Sequence, residues 1–152
     1  MNKKTLKLVV LCTEIVLAVV IFIMMFLSAS EIKTLLVTKS FNTFQTAFGY
    51  SESNGTISVK VLDFNFGNFL TFVFFLVAVG TCCAKVLFKK SSIGKLLGFV
   101  SAVLFILAGV FFFLNSVFMG DGYSLGIGAI LAGIFSIFAG LVVCCDVLVL
   151  KD

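Results

Sequence analysis

The chain has 152 residues, of which 61% are hydrophobic and only 12% charged, and its net charge is +4. A soluble domain carries about twice that share of charged residues, so the composition excludes a protein that keeps its whole surface in water. The chain has no histidine, which excludes Ser-His-Asp and Cys-His catalysis within it and removes the commonest metal ligand.

Four apolar runs predict four membrane-spanning helices. The first run, Leu6 to Leu27, would be about 33 Å long as a helix, which is enough to cross the hydrocarbon core. The predicted helices cover residues 6–29, 66–88, 93–115 and 123–150. The fourth is longer than a bilayer requires and should tilt or protrude. We therefore predict an all-α, four-transmembrane-helix bundle, with residues 1–152 forming a single membrane domain.

The first apolar run has a second interpretation, as a signal peptide. Ser28-Ala-Ser30 resembles the small-x-small pattern of a cleavage site. The run is longer than the apolar region of about 7–15 residues that signal peptides have. We therefore predict a helix that is not cleaved.

Lysine placement predicts the orientation in the cell membrane, because basic residues concentrate on the cytoplasmic side. Lysines flank the start of the first helix, the second connection and the end of the fourth helix: Lys3, Lys4, Lys7, Lys85, Lys89, Lys90, Lys95 and Lys151. The third connection, 116–122, has Asp121 and no lysine. This pattern places both termini in the cytoplasm and the first and third connections outside.

Residues 30–65 form the predicted outer segment, for which two interpretations compete. Val37, Phe41, Phe44 and Phe48 recur at helical spacing, and Gly49 would cap an amphipathic helix. Alternatively, residues 43–50 pair as a short β-hairpin with the alternating stretch 56–61, whose phase slips at Leu62 as at a bulge.

The same segment contains Asn54-Gly-Thr, which matches a glycosylation sequon but is interpreted as part of a turn. Its phenylalanines have two interpretations. They either form an aromatic docking surface for a partner or pack, as a lid, on the protein's own helices.

Two stripes of small residues indicate close helix packing, since small side chains let helix backbones approach in lipid. The stripes are Gly94, Gly98, Ala102 in the third helix and Ser124, Gly128, Ala132, Ser136, Gly140, Cys144 in the fourth. We predict that the third-helix stripe faces the cytoplasmic half of the fourth-helix stripe. In the alternative, the outer half of the fourth-helix stripe, from Ser124 to Ala132, packs against another subunit.

Three charged residues fall at one cytoplasmic-side depth: Glu14, Lys85 and Asp146. Glu14 lies about 12 Å into the first helix, where an unpaired carboxylate costs several kcal/mol. It is either a proton- or cation-coupling carboxylate or a group, protonated or paired, that fixes helix packing. A buried pair of Lys85 with one of the carboxylates fits the second alternative.

All five cysteines lie near the same depth: Cys12, Cys82, Cys83, Cys144 and Cys145. They fit small apolar packing residues, while a thiolate metal site and juxtamembrane acylation are the alternatives. We expect no cofactor and no metal, because no CxxC motif or histidine accompanies them.

Two families share part of this organisation. The chain resembles small multidrug transporters in its four helices and first-helix glutamate, but departs from them in its long outer segment and its lack of Trp and Pro. It resembles claudins in its four helices and large first outer connection, which here has no Trp and no cysteine pair. Neither resemblance identifies a family.

The function expected from the sequence is that of a non-enzymatic structural or accessory subunit. Its partners would be the lipid bilayer and a membrane protein or further copies of itself, with no nucleic acid. The alternative is a small proton- or cation-coupled carrier or channel that uses Glu14.

Overall fold

A computed structural model describes residues 3–33, 37–53, 55, 58–88 and 91–149. The described residues contain six helices and five strands. In chain order they are α1 Lys3–Met24, β1 Ser28–Lys33, β2 Thr38–Asn42, α2 Thr43–Phe48, β3 Tyr50–Ser53, β4 Ser58–Leu62, α3 Phe66–Leu87, α4 Ser92–Phe113, α5 Asn115–Met119, β5 Tyr123–Leu125 and α6 Ile127–Val149.

Four of these described helices, α1, α3, α4 and α6, are long and apolar enough to cross a membrane. They pack in the order α1, α6, α4, α3, because α6 contacts both α1 and α4, and α4 contacts α3. The strands, α2 and α5 lie at one end of this array, here called the sheet end. The opposite end, where α1 begins and α3 ends, is called the lysine end.

Two predicted helix boundaries were wrong. The first helix ends at Met24 rather than residue 29, and the last begins at Ile127 rather than residue 123. Tyr123–Leu125, removed from the start of the last helix, pair with Ser30–Ile32, which follow the end of the first, and the Gly126 N–H donates to the Ala29 carbonyl at 2.9 Å. Backbone groups at the two helix ends are therefore satisfied by a sheet rather than by further helical turns.

The larger sheet has the strand order β2-β1-β5, and all neighbours are antiparallel. β1 is central and connects the first outer segment to the strand contributed by the connection before α6. The predicted all-α fold is thus mostly correct, but it lacked this sheet, in which β5 is distant in the sequence from β1 and β2.

The competing interpretations of the outer segment are each correct over different residues. Helix α2 begins at Thr43, directly after its N-cap Asn42, whose side chain and that of Gln45 form a reciprocal capping box. Val37 and Phe41 were wrongly placed on this helix, because Phe41 belongs to β2, where it is 2% exposed. The helix ends at Gly49, which has φ +87° and leaves no room for a side chain.

The predicted hairpin exists with a different first strand. β4 pairs with β3, Tyr50–Ser53, and not with residues 43–49, which α2 and Gly49 occupy. Tyr50 lies opposite Leu62 and Ser51 opposite Lys60, so the register shifts by one residue at the end of β4. This irregularity matches the predicted phase slip. Asn54 and Thr56 of the sequon lie outside the described residues.

The small-residue stripes lie inside the helix array. A Cβ built on Gly140 would lie 2.8 Å from the Ala102 carbonyl oxygen, so α4 and α6 are in close backbone contact there. Gly98 faces Val147 of α6 in the same interface. The remaining stripe residues Gly94, Ala132 and Ser136 are buried, and Cys144 is partly buried.

The outer half of the α6 stripe contacts its own chain. A Cβ on Gly128 would lie 2.8 Å from the Met24 carbonyl oxygen, so this glycine admits the end of α1. Ser124 belongs to β5 rather than to the helix, and its hydroxyl donates to the Glu31 carbonyl at 3.2 Å. Close packing against α1 therefore accounts for Gly128 within one chain.

Candidate functional site

Glu14, Lys85 and Asp146 meet between three spanning helices, and we call them the ion triad. The Lys85 ammonium donates to Glu14 Oε1 at 2.8 Å, to Glu14 Oε2 at 2.9 Å and to Asp146 Oδ2 at 2.9 Å. An ammonium has three N–H donors, and three carboxylate oxygens accept them. The triad thus connects α1, α3 and α6 through a single lysine.

Burial makes these contacts energetically important. The side chains of Glu14 and Lys85 are 2% and 10% exposed, and that of Asp146 is 25% exposed. A charge removed from water costs several kcal/mol unless an opposite charge and hydrogen bonds replace the water. The charge of Glu14 is therefore balanced only by Lys85 and its hydrogen bonds. Asp146 also pairs with Lys85, but part of its side chain remains exposed.

The sequence places each member of the ion triad at the same depth for a simple reason. Glu14 lies midway along α1, Lys85 is in the last turn of α3, and Asp146 is near the end of α6. α3 and α6 both end at the lysine end, so their charged residues meet one face of α1. Helical rise alone predicts the shared depth, but not which helix faces turn toward each other.

Cys82 contacts the ion triad, with its Sγ 3.5 Å from Glu14 Oε2. All five cysteines lie in the described chain and are free thiols, of which Cys12, Cys83 and Cys145 are exposed on the helix surfaces. Among the described residues, no group of three or more Cys, Asp or Glu side chains has the geometry to hold a metal ion.

A groove of about 410 Å³ lies beside the ion triad, between α1 and α3. Its walls are apolar except for Glu14 and the thiols of Cys82 and Cys83. The lining residues are Leu11, Glu14, Ile15, Ala18, Val19, Val79, Cys82, Cys83, Val86, Leu87 and Phe105. We call this the α1–α3 groove. The groove exists because α1 packs mainly on α6. Away from the ionic contact between Glu14 and Lys85, α1 and α3 are therefore separated.

Helix α2 fills the space between α1 and α3 at the sheet end. The Phe44 ring lies 6.3 Å from Phe22 and 5.0 Å from Phe26, and 5.6 Å from Phe72 of α3. Phe44 is thus a wedge between the two spanning helices. It supports the lid interpretation for this side chain, and it lies on the sheet side of the α1–α3 groove, whose lining contains no residue of α2.

A second buried polar cluster lies at the sheet end and was not predicted. The Ser30 hydroxyl donates to Asn115 Oδ1 at 2.7 Å, and Asn115 Nδ2 donates to Thr46 Oγ1 at 3.3 Å. Thr46 Oγ1 in turn donates to the Thr43 carbonyl at 3.0 Å. These residues are 0% exposed, so the cluster connects β1, α2 and α5 without contact with water.

A sequence signal for this cluster was present. Asn68 lies inside an apolar run and Asn115 at the end of another, where an unpaired amide would be expensive. Asn68 is also fully buried, and its Nδ2 donates to the Thr46 carbonyl at 3.5 Å. Asn68 Oδ1 is buried and accepts no hydrogen bond from the described residues. Nothing in the local sequence indicates which groups the two amides contact, because Thr46 and Ser30 are in distant elements.

The four long apolar helices indicate a multi-pass membrane protein, and a small β-structured segment lies at one end of them. No family model, no curated protein and no solved structure matches the chain. Its function is therefore argued from the geometry of the triad, the groove and the sheet end.

Proposed function

We propose that the protein is a non-enzymatic membrane subunit that holds a fixed shape and associates with another membrane protein or with copies of itself. The observation that carries this proposal is the ion triad. All three donors of Lys85 are engaged, and they engage groups from α1 and α6. A carboxylate held twice by one ammonium is suited to fixing helices and poorly suited to binding and releasing a cation in each cycle.

The sheet end supports the same proposal. The buried Ser30–Asn115–Thr46 hydrogen bonds and the Phe44 wedge attach the β-structured segment to the spanning helices. A segment held in this way presents a constant surface beyond the membrane. Its rim includes apolar side chains that are more than half exposed, Phe64, Phe66 and Val117. A partner membrane protein at the bilayer interface would bury this rim.

We further propose that the sheet end faces outward and the termini lie in the cytoplasm of a cell membrane. The support is the lysine distribution along the chain, since the connection between α3 and α4 carries lysines and the connection before α6 carries none.

A carrier or channel that uses Glu14 is the second candidate. One observation favours it, namely that Glu14 contributes to the wall of the α1–α3 groove. In this function the Lys85 contact would have to open so that the carboxylate could exchange a proton or cation along the groove.

The native mass of the tagged protein, extracted gently from its own host membrane, tests the first proposal. A complex that contains a second, larger membrane protein, or a defined homo-oligomer, is the expected result. A monomer from several mild detergents would contradict it.

Glu14→Gln then separates the two candidates, and Asp146→Asn serves as the control at the exposed side of the triad. If the subunit proposal is correct, Glu14→Gln lowers stability and weakens the complex. If Glu14 is a coupling carboxylate, the variant stays folded and assembled. In that case proton uptake into liposomes loaded with a pH-sensitive dye is lost in Glu14→Gln and kept in Asp146→Asn.

A further inference from the structure

We draw no further inference here: the strongest candidate, the apolar α1–α3 groove beside the ion triad, is an unpartnered surface between two spanning helices, and nothing in the described residues shows what covers it.

Discussion

Replacing Lys85 by methionine should be the most damaging change to the ion triad. Methionine keeps an unbranched side chain in the α3 interface, so the change in unfolding free energy reports mainly the loss of the ammonium group. Its removal leaves Glu14 and Asp146 close together with no cation between them, and Glu14 is almost fully buried. Breaking a buried ion pair by removing one partner costs about 3–5 kcal/mol in folding free energy.

The two carboxylates should respond differently to substitution. Glu14 accepts two hydrogen bonds from Lys85, whereas Asp146 accepts one and is 25% exposed. We therefore expect Asp146→Asn to lower stability by about 1.5 kcal/mol. Removing both members of the buried pair, in Glu14→Gln with Lys85→Met, should recover more than half of the loss caused by Lys85→Met alone.

Titration with SDS in mixed micelles, followed by far-UV circular dichroism, measures these differences in unfolding free energy. Thermal unfolding should show a decrease in Tm of roughly 10 °C for Lys85→Met. The reasoning is refuted if Lys85→Met unfolds at the same SDS fraction as the unaltered protein. It is also refuted if the double variant is no more stable than Lys85→Met, because the penalty would then not arise from an uncompensated charge.

Three further predictions concern packing, the sheet end and orientation. Gly140→Leu should cost about 3 kcal/mol or more, since a Cβ there already lies 2.7 Å from an α4 side chain, while Gly80→Leu, which points into open space, should be tolerated in the same SDS titration. Asn115→Leu should cost about 1–3 kcal/mol and increase proteolysis of the β-structured segment, because it leaves a buried β1 hydroxyl without its acceptor. In a cysteine-free protein, a thiol probe that does not cross membranes should label Ser53→Cys but not Ser91→Cys from outside intact cells; the reverse pattern would invert the proposed orientation.

The structure also changes how the small residues of α6 are understood. The small residues of one stripe allow two neighbouring helices to approach α6 closely. Gly140 is in contact with α4, and Gly128 is in contact with the end of α1. α6 is therefore the helix around which the array is built. The opening of the array between α1 and α3 follows from this arrangement, because α1 packs on α6 rather than closing against α3.

The sequence by itself determined the features that depend on local chemistry. Four apolar runs of bilayer length identify the spanning helices, because backbone groups in lipid must be satisfied within each segment. Helical rise puts Glu14, Lys85 and Asp146 at one depth, and lysine placement predicts an orientation. The phase slip near Leu62 likewise indicated an irregular strand, which β4 shows.

The tertiary structure decided everything that depends on distant partners. Residues 28–29 and 123–125 resemble helix ends, yet they form strands because β1 pairs with β2 on one side and with β5 on the other. The pairing of Lys85 with both carboxylates depends on helix rotation, which a helical pattern of nearly uniform hydrophobicity does not encode. The α1–α3 groove arises for the same reason, because it is the space left where two helices, each well packed elsewhere, do not meet.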